Sequence, residues 1–169
     1  MATTRVVFVH GAYGYEEDAQ LATSLRQHLG AEFTIEAPRV PDEDPDLTDV
    51  IGDEPVVLVG HSAGAFTLVE HIAHGRVRAP VLALCLIASP YPGGDPDWDI
   101  EGWDLPDDLS ALPERVFLYA SPDDEVVPFA HRDLYAAAIP QAVVRTTEGG
   151  HQLGDDLRLV ADDIRSIMR

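Results

Sequence analysis

Six short runs rich in Val, Ile and Leu recur along this chain, at Arg5–Val9, Phe33–Ala37, Val56–Gly60, Val81–Ala88, Arg115–Ala120 and Ala142–Thr146. They lack the strict apolar–polar alternation of a half-solvated strand, and so read as strands covered on both faces of a parallel sheet. Between them lie segments with helical period: Glu16–Leu29, Ala63–His74, Pro128–Ala138 and Leu153–Met168. In the last of these, Leu153, Leu157, Val160, Ile164 and Ile167 make one stripe, with Asp155, Asp156, Asp162, Asp163 and Arg165 elsewhere. Strands that alternate with helices need crossover connections. The pattern therefore predicts a doubly wound, mostly parallel six-stranded sheet in a three-layer α/β/α sandwich.

The 169 residues fit one domain, 1–169, and leave no room for a second core of ordinary size. Two stretches break the rhythm. Residues 38–55 are rich in Pro and Asp and hold a weak helix at best, and Ser89–Pro113, "SPYPGGDPDWDIEGWDLPDDLSALP", contains both tryptophans and no clear period. Loops of this length inside a compact domain are usually functional or disordered.

Charge and composition remove several classes of function. A net charge of -19 repels polyanions, which argues against nucleic acid or an anionic membrane surface as partner; solubility is its ordinary meaning. No apolar run approaches the ~20 residues of a membrane span, and the start "MATTRVVFVH" has no leader pattern, so a soluble, cytoplasmic protein is expected. All 11 cationic residues are Arg; without Lys there is no Schiff-base chemistry, no Ser-Lys dyad and no phosphate-binding P-loop lysine. The single Cys85 excludes an internal disulfide and, inside "VLALCLIAS", reads as buried. No G-x-G-x-x-G follows a strand, and His71 and His74 have no Asp, Glu or Cys cluster near them in sequence to complete a metal set. Neither metal nor cofactor is expected.

The stretch "VVLVGHSAGAF" sets Ser62 between Gly60 and Gly64 where the third strand stops. Ser62 can be read as a helix cap, or Gly60-His61-Ser62-Ala63-Gly64 as the strained G-x-S-x-G turn that lifts a serine oxygen to the top of a sheet. A serine nucleophile needs a base, and the base needs an orienting group. In an open α/β sheet such groups gather beyond the carboxyl ends of the strands. After the fifth strand "RVFLYASPDDEVVP" presents Asp123 and Asp124, and after the sixth "VVRTTEGGHQLGDD" presents His151. The chain order Ser…Asp…His is the one that accompanies this turn, which favours the second reading.

From Arg5 to the last helix the chain resembles the α/β-hydrolases, in particular the small, essentially lidless serine hydrolases related to the retinoblastoma-binding serine hydrolase and similar bacterial proteins. The resemblance implies the strand order 2-1-3-4-5-6, with the family's first two antiparallel strands missing because His10-Gly11 follows the very first strand. It implies Ser62 as nucleophile and His151 as general base. Of the two carboxylates, Asp124-Glu125-Val126-Val127-Pro128 fits the family pattern D-x-x-V-P, whereas Asp123 lies one residue too early and would cap the turn or face solvent. The oxyanion donors would be the backbone N–H groups of Ala63 and Ala12, with Tyr13 as the alternative to Ala12. His10 and His61 flank the site and read as a packed loop histidine and an elbow filler.

The loop Ser89–Pro113 occupies the place of a lid but is too short for a multi-helix cap, so the pocket should be shallow or partly open. Trp98 and Trp103 either line it or pin the loop to the body, and Tyr13 and Tyr91 could join the same wall. The expected activity is hydrolysis of small or short-chain carboxylic esters through an acyl-serine intermediate, with a small-molecule ester as partner. Amidase or acyltransferase chemistry uses the same residues. A non-catalytic ligand- or protein-binding member of the fold is the remaining alternative, and the intact Ser62, Asp124 and His151 argue against it.

Overall fold

The six runs form strands β1 (Thr4–Val9), β2 (Phe33–Glu36), β3 (Val56–His61), β4 (Val81–Ile87), β5 (Val116–Ala120) and β6 (Val143–Thr146) in a computed structural model that describes residues 2–169. Every neighbouring pair is parallel, and the order across the sheet is β2-β1-β3-β4-β5-β6. Helices α1 (Tyr15–Leu29), α2 (Thr48–Ile51), α3 (Ala63–Ala73), α4 (Ala130–Ala138) and α5 (Arg158–Ser166) complete the elements, with 3-10 turns at Pro96–Trp98 and Gly150–Asp155.

Successive side chains of a strand point to opposite faces, so each strand feeds two cores. Val6 and Phe8 of β1 and Val57 and Val59 of β3 pack with Leu21 and Leu25 of α1 and Val160 and Ile164 of α5. Val7, Val9 and Leu58 face the other way, onto Leu68 and Val69 of α3 and Tyr135 of α4. Each fully buried Val, Leu or Phe contributes roughly 1.5–3 kcal/mol, so the central strands carry a large share of the hydrophobic stabilisation. Cys85 lies within β4, where burial pushes its thiol up to about 12 and keeps it out of nucleophilic chemistry.

Two elements depart from the sequence pattern. β6 is the outer strand beyond β5 and is not covered on both faces, with Val143 39% and Val144 41% exposed. The helix expected from Leu153 begins only at Arg158, because Leu153 (φ 52°) and Gly154 (φ 60°) turn left-handed. Leu153 is still buried beside Leu157, so the apolar stripe is continuous although the helix is not.

The strand order puts β1 between β2 and β3, so the chain leaves β1 for one side of the sheet and later builds β3 on the other. Such a reversal opens a crevice beyond the carboxyl ends of the two central strands. The loop after β1 and the turn after β3 meet there. No helix among the described residues is long and apolar enough to cross a membrane.

Candidate active site

Ser62 stands at the junction of β3 and α3 with φ 56° and ψ −126°, a conformation that costs a residue with a Cβ of the order of 1–3 kcal/mol. Its side chain makes no capping hydrogen bond, so the helix-cap reading does not describe it. Its N–H donates to Ile87 O at 2.8 Å, which ties the strained residue to β4. The flanking glycines are dictated by close approach: a Cβ on Gly60 would lie 2.6 Å from Ala65 Cα, and one on Gly64 would lie 2.4 Å from the His10 carbonyl oxygen. Any larger residue would push α3 off the sheet edge and lower the turn.

His151 sits in the 3-10 turn after β6, and its Nδ1–H donates to Asp124, at 2.9 Å from Oδ2 and 3.1 Å from Oδ1. Asp124 Oδ1 also accepts from Val126 N–H and Val127 N–H at 2.8 and 2.9 Å. Burial pushes the Asp124 carboxyl upward, but the bonds from His151, Val126 and Val127 outweigh it and hold the group below the ordinary carboxylate value. An ionised carboxylate on Nδ1 leaves Nε2 as the nitrogen that can take a proton. Asp123 does something else: it accepts from the Ser121 hydroxyl and, at 3.1 Å, from Gly150 N–H, and so fastens the loop just ahead of His151.

No hydrogen bond joins Ser62 Oγ to His151 Nε2 among the described residues. His61, the residue before Ser62, has its ring 4.7 Å from that of His151, centroid to centroid.

The two expected oxyanion donors are backbone groups without partners among the described residues. Ala63 N–H opens α3, where the first helical N–H groups have no intrahelical acceptor. Ala12 N–H likewise has none, whereas Tyr13 N–H is engaged by Asp42 Oδ1 at 2.9 Å, which leaves Ala12 as the available donor of the pair. The loop comes close to the serine: a Cβ on Gly11 would lie 3.3 Å from Ser62 Cβ. His10 braces this loop, donating from Nδ1 to Gly11 O at 2.7 Å and accepting Val40 N–H on Nε2 at 3.0 Å.

A cavity of about 590 Å³ opens beside these donors and is lined by Gly11, Ala12, Tyr13, Ala63, Phe66 and Trp103, with Asp42, Glu43 and Asp44 on its rim. Of the four aromatic residues singled out from sequence, Tyr13 and Trp103 border it and Tyr91 and Trp98 do not. Trp103 stacks on Phe66 at 4.5 Å, so it lines the wall and pins the loop at once. Tyr91 packs edge-on against Tyr135, and its N–H donates to His131 Nδ1 at 2.8 Å. Trp98 lies edge-on to the His131 ring, and His131 Nε2 in turn meets Asp95 at 2.5 Å. His131 is thus the post to which the Ser89–Pro113 loop is tied, a role for which its sequence carries no marker. His71 is likewise structural, with Nε2 accepting Leu47 N–H at 3.2 Å.

The sequence pattern does not single out one buried residue of this region. Asp18, in the first turn of α1, is 2% exposed and contacts Gly11, His61 and Gln152. The available signal was its spacing: Asp18 shares a helical stripe with Leu21, Ala22 and Leu25, so a carboxylate stands on the apolar face.

A sequence model of the alpha/beta hydrolase family matches residues 6–166. Among solved structures, the ydeN gene product of B. subtilis superposes with a TM-score of 0.78 at 20% identity, over 98% of this chain and 99% of that one. Est1E of Butyrivibrio proteoclasticus, solved with ferulic acid bound, gives 0.67 at 16% identity, over 99% and 88% of the two chains. Zea mays acyl-protein thioesterase 2 gives 0.67 at 15% identity, over 100% and 95%. No curated protein matches the chain. At these identities the likenesses speak for the fold.

Proposed function

This chain belongs to the alpha/beta hydrolase family, and on that premise we propose that it is, as a single domain, a serine hydrolase of small or short-chain carboxylic esters. The observation that carries the reading is the Asp124–His151 pair, at 2.9 Å, together with a serine held in a strained turn whose preceding residue, His61, has its ring 4.7 Å from that of His151. In the proposed reaction His151 Nε2 accepts the Ser62 proton as Oγ attacks the ester carbonyl carbon, forming a tetrahedral oxyanion. The Ala12 and Ala63 N–H groups stabilise that oxyanion, each by roughly 3 kcal/mol. His151 then protonates the alkoxide leaving group as the C–O bond breaks, which leaves an acyl-serine. A water molecule, deprotonated by His151, releases the acid and restores Ser62. Asp124 keeps the ring in the tautomer that leaves Nε2 free and stabilises the imidazolium, without taking the proton itself.

The cavity's volume is within the range of small-molecule sites, and Tyr13, Phe66 and Trp103 offer it apolar wall. Its acidic rim disfavours phosphorylated or CoA-linked substrates and leaves neutral esters as the better fit. The ferulic acid bound by Est1E and the thioesterase name of the maize protein are compatible with acyl chemistry on this fold. The absence of a Ser62–His151 hydrogen bond among the described residues favours a second reading, a non-catalytic binding protein on the same scaffold.

Intact-mass analysis after treatment with a fluorophosphonate separates the two. The hydrolase reading expects one adduct, mapped to Ser62 and absent from Ser62→Ala. Folded protein that takes no adduct would turn the assignment toward binding.

A further inference from the structure

The x position of G-x-S-x-G is filled here by His61, 2% exposed, and its ring is bonded on both sides. Nδ1 lies 2.8 Å from Asp18 Oδ2, and Nε2 lies 2.8 Å from the backbone carbonyl oxygen of His151. The same Asp18 Oδ2 accepts Gly11 N–H at 2.8 Å, and Oδ1 accepts the Gln152 side-chain amide at 3.0 Å. One buried carboxylate therefore reaches the loop after β1, the elbow and the loop that carries His151, three segments far apart in sequence.

We propose that Asp18 and His61 are positioning residues for the reaction: a second carboxylate–imidazole pair that locks the oxyanion loop and the His151 loop to the elbow. The inference rests on the hydrolase reading given above. Its first support is a count of donors. Burial pushes the Asp18 carboxyl upward, but the bonds from His61, Gly11 and Gln152 outweigh it and hold the group below its ordinary value, so Asp18 only accepts. His61 Nδ1 must then donate. The His151 carbonyl also only accepts, so Nε2 donates as well. On this count both ring nitrogens of His61 donate, one to Asp18 and one to the His151 carbonyl. The titratable groups facing the His61 ring are Asp18 from α1 and the His151 ring from the 3-10 turn.

The second support is what the pair touches. Gly11, held through its N–H, directly precedes Ala12, the donor proposed for the oxyanion. His151, held through its carbonyl, is the proposed base, and Gln152, the next residue, is held through its side chain. A buried ion pair is a weak source of stability, since well-packed apolar residues of similar volume often do as well. What apolar side chains cannot supply is direction. Three hydrogen bonds on one carboxylate, and a fourth through the ring it orients, fix three loops against one another, and tolerances at such sites are a few tenths of an ångström.

The pair is testable in two ways that do not depend on each other. In wild-type protein, long-range ¹⁵N–¹H NMR of the histidine rings at neutral pH should show His61 with both nitrogens protonated. Asp18→Asn and His61→Gln, each checked for native fold by circular dichroism, should lower both kcat on a short-chain p-nitrophenyl ester and the rate of fluorophosphonate labelling by about 10–100-fold, by analogy with residues that orient ligating histidines. KM should move less than about threefold, because none of Asp18, His61 and Gln152 lines the cavity. If the wild type takes no fluorophosphonate, the hydrolase reading fails whatever the His61 ring shows. If it labels, but both variants label at the wild-type rate or the wild-type His61 ring carries one proton, the positioning proposal fails alone.

Discussion

Two aspartate–histidine pairs lie ring to ring in this protein, with 4.7 Å between the imidazole centroids, and they differ in what the second ring nitrogen meets. In the Asp124–His151 pair the carboxylate takes Nδ1 and nothing among the described residues takes Nε2; the His151 side chain is 11% exposed. In the Asp18–His61 pair the carboxylate again takes Nδ1, but a carbonyl takes Nε2 and the side chain is 2% exposed. On the proposed reading the same two functional groups become a base in one place and a clamp in the other. A histidine can work as a base only if one nitrogen is left unspent. Proximity to the serine does not distinguish the two rings, since His61 is its neighbour in sequence.

The largest effects should come from treating the two pairs alike. Substituting His151 by Gln should cut ester hydrolysis by about 10⁴-fold or more, because the proton acceptor is gone. His61→Gln should cost only the 10–100-fold expected of a lost support. Steady-state rates of the two variants, measured side by side on one ester, decide the matter: equal losses would erase the distinction between base and clamp.

Acid should act on both pairs through their carboxylates. Asp18 and Asp124 are each held below the ordinary carboxylate value in the folded protein. Each therefore adds stability that is fully present above the unfolded-chain value, about 4, and is lost as pH falls through the folded one. Thermal midpoints of wild type should drop on acidification below about pH 4, and the drop should be shallower in Asp18→Asn and in Asp124→Asn, which start from lower stability at pH 7. An identical acid profile in either variant would mean that its carboxylate is not differentially ionised on folding.

How much of this was legible beforehand depends on whether a feature is local. Parallel strands covered by helices need β-branched and aliphatic residues throughout, so β1, β3, β4 and β5 announce themselves, and Gly60, Ser62 and Gly64 announce a turn. The exposure of Val143 and Val144 follows from β6 lying at the sheet edge, which is a property of the order of strands and not of the strand. The late start of α5 was hidden because Leu153 and Leu157 keep helical spacing even though Leu153 is left-handed. Asp18 was masked by Glu16 and Glu17, which make it look like one more charge in the acidic first turn of a helix. Its partners, His61 and Gln152, are 43 and 134 residues away, beyond any local pattern. The division between Trp103, at the cavity, and Trp98, at His131, is equally a matter of tertiary contact within one loop.

The smallest expected effect concerns the residue that links the two pairs. Ser62 follows the clamped His61 and is proposed to face His151, and its backbone pays for that place with φ 56° and ψ −126°. Ala in its stead keeps the Cβ and therefore the strain, so Ser62→Ala should leave stability nearly unchanged while abolishing turnover. Gly adopts the conformation freely, which removes a cost of the order of 1–3 kcal/mol, but it also loses about 0.5–1 kcal/mol through greater freedom in the unfolded chain. Ser62→Gly should thus be more stable than Ser62→Ala by about 1 kcal/mol, a shift of roughly 2–4 °C for a chain of this size. Urea midpoints at constant slope would measure it. If the Gly and Ala variants unfold together, the elbow holds no strain for glycine to relieve; if Gly gains, the turn stores backbone strain at the position of the proposed nucleophile.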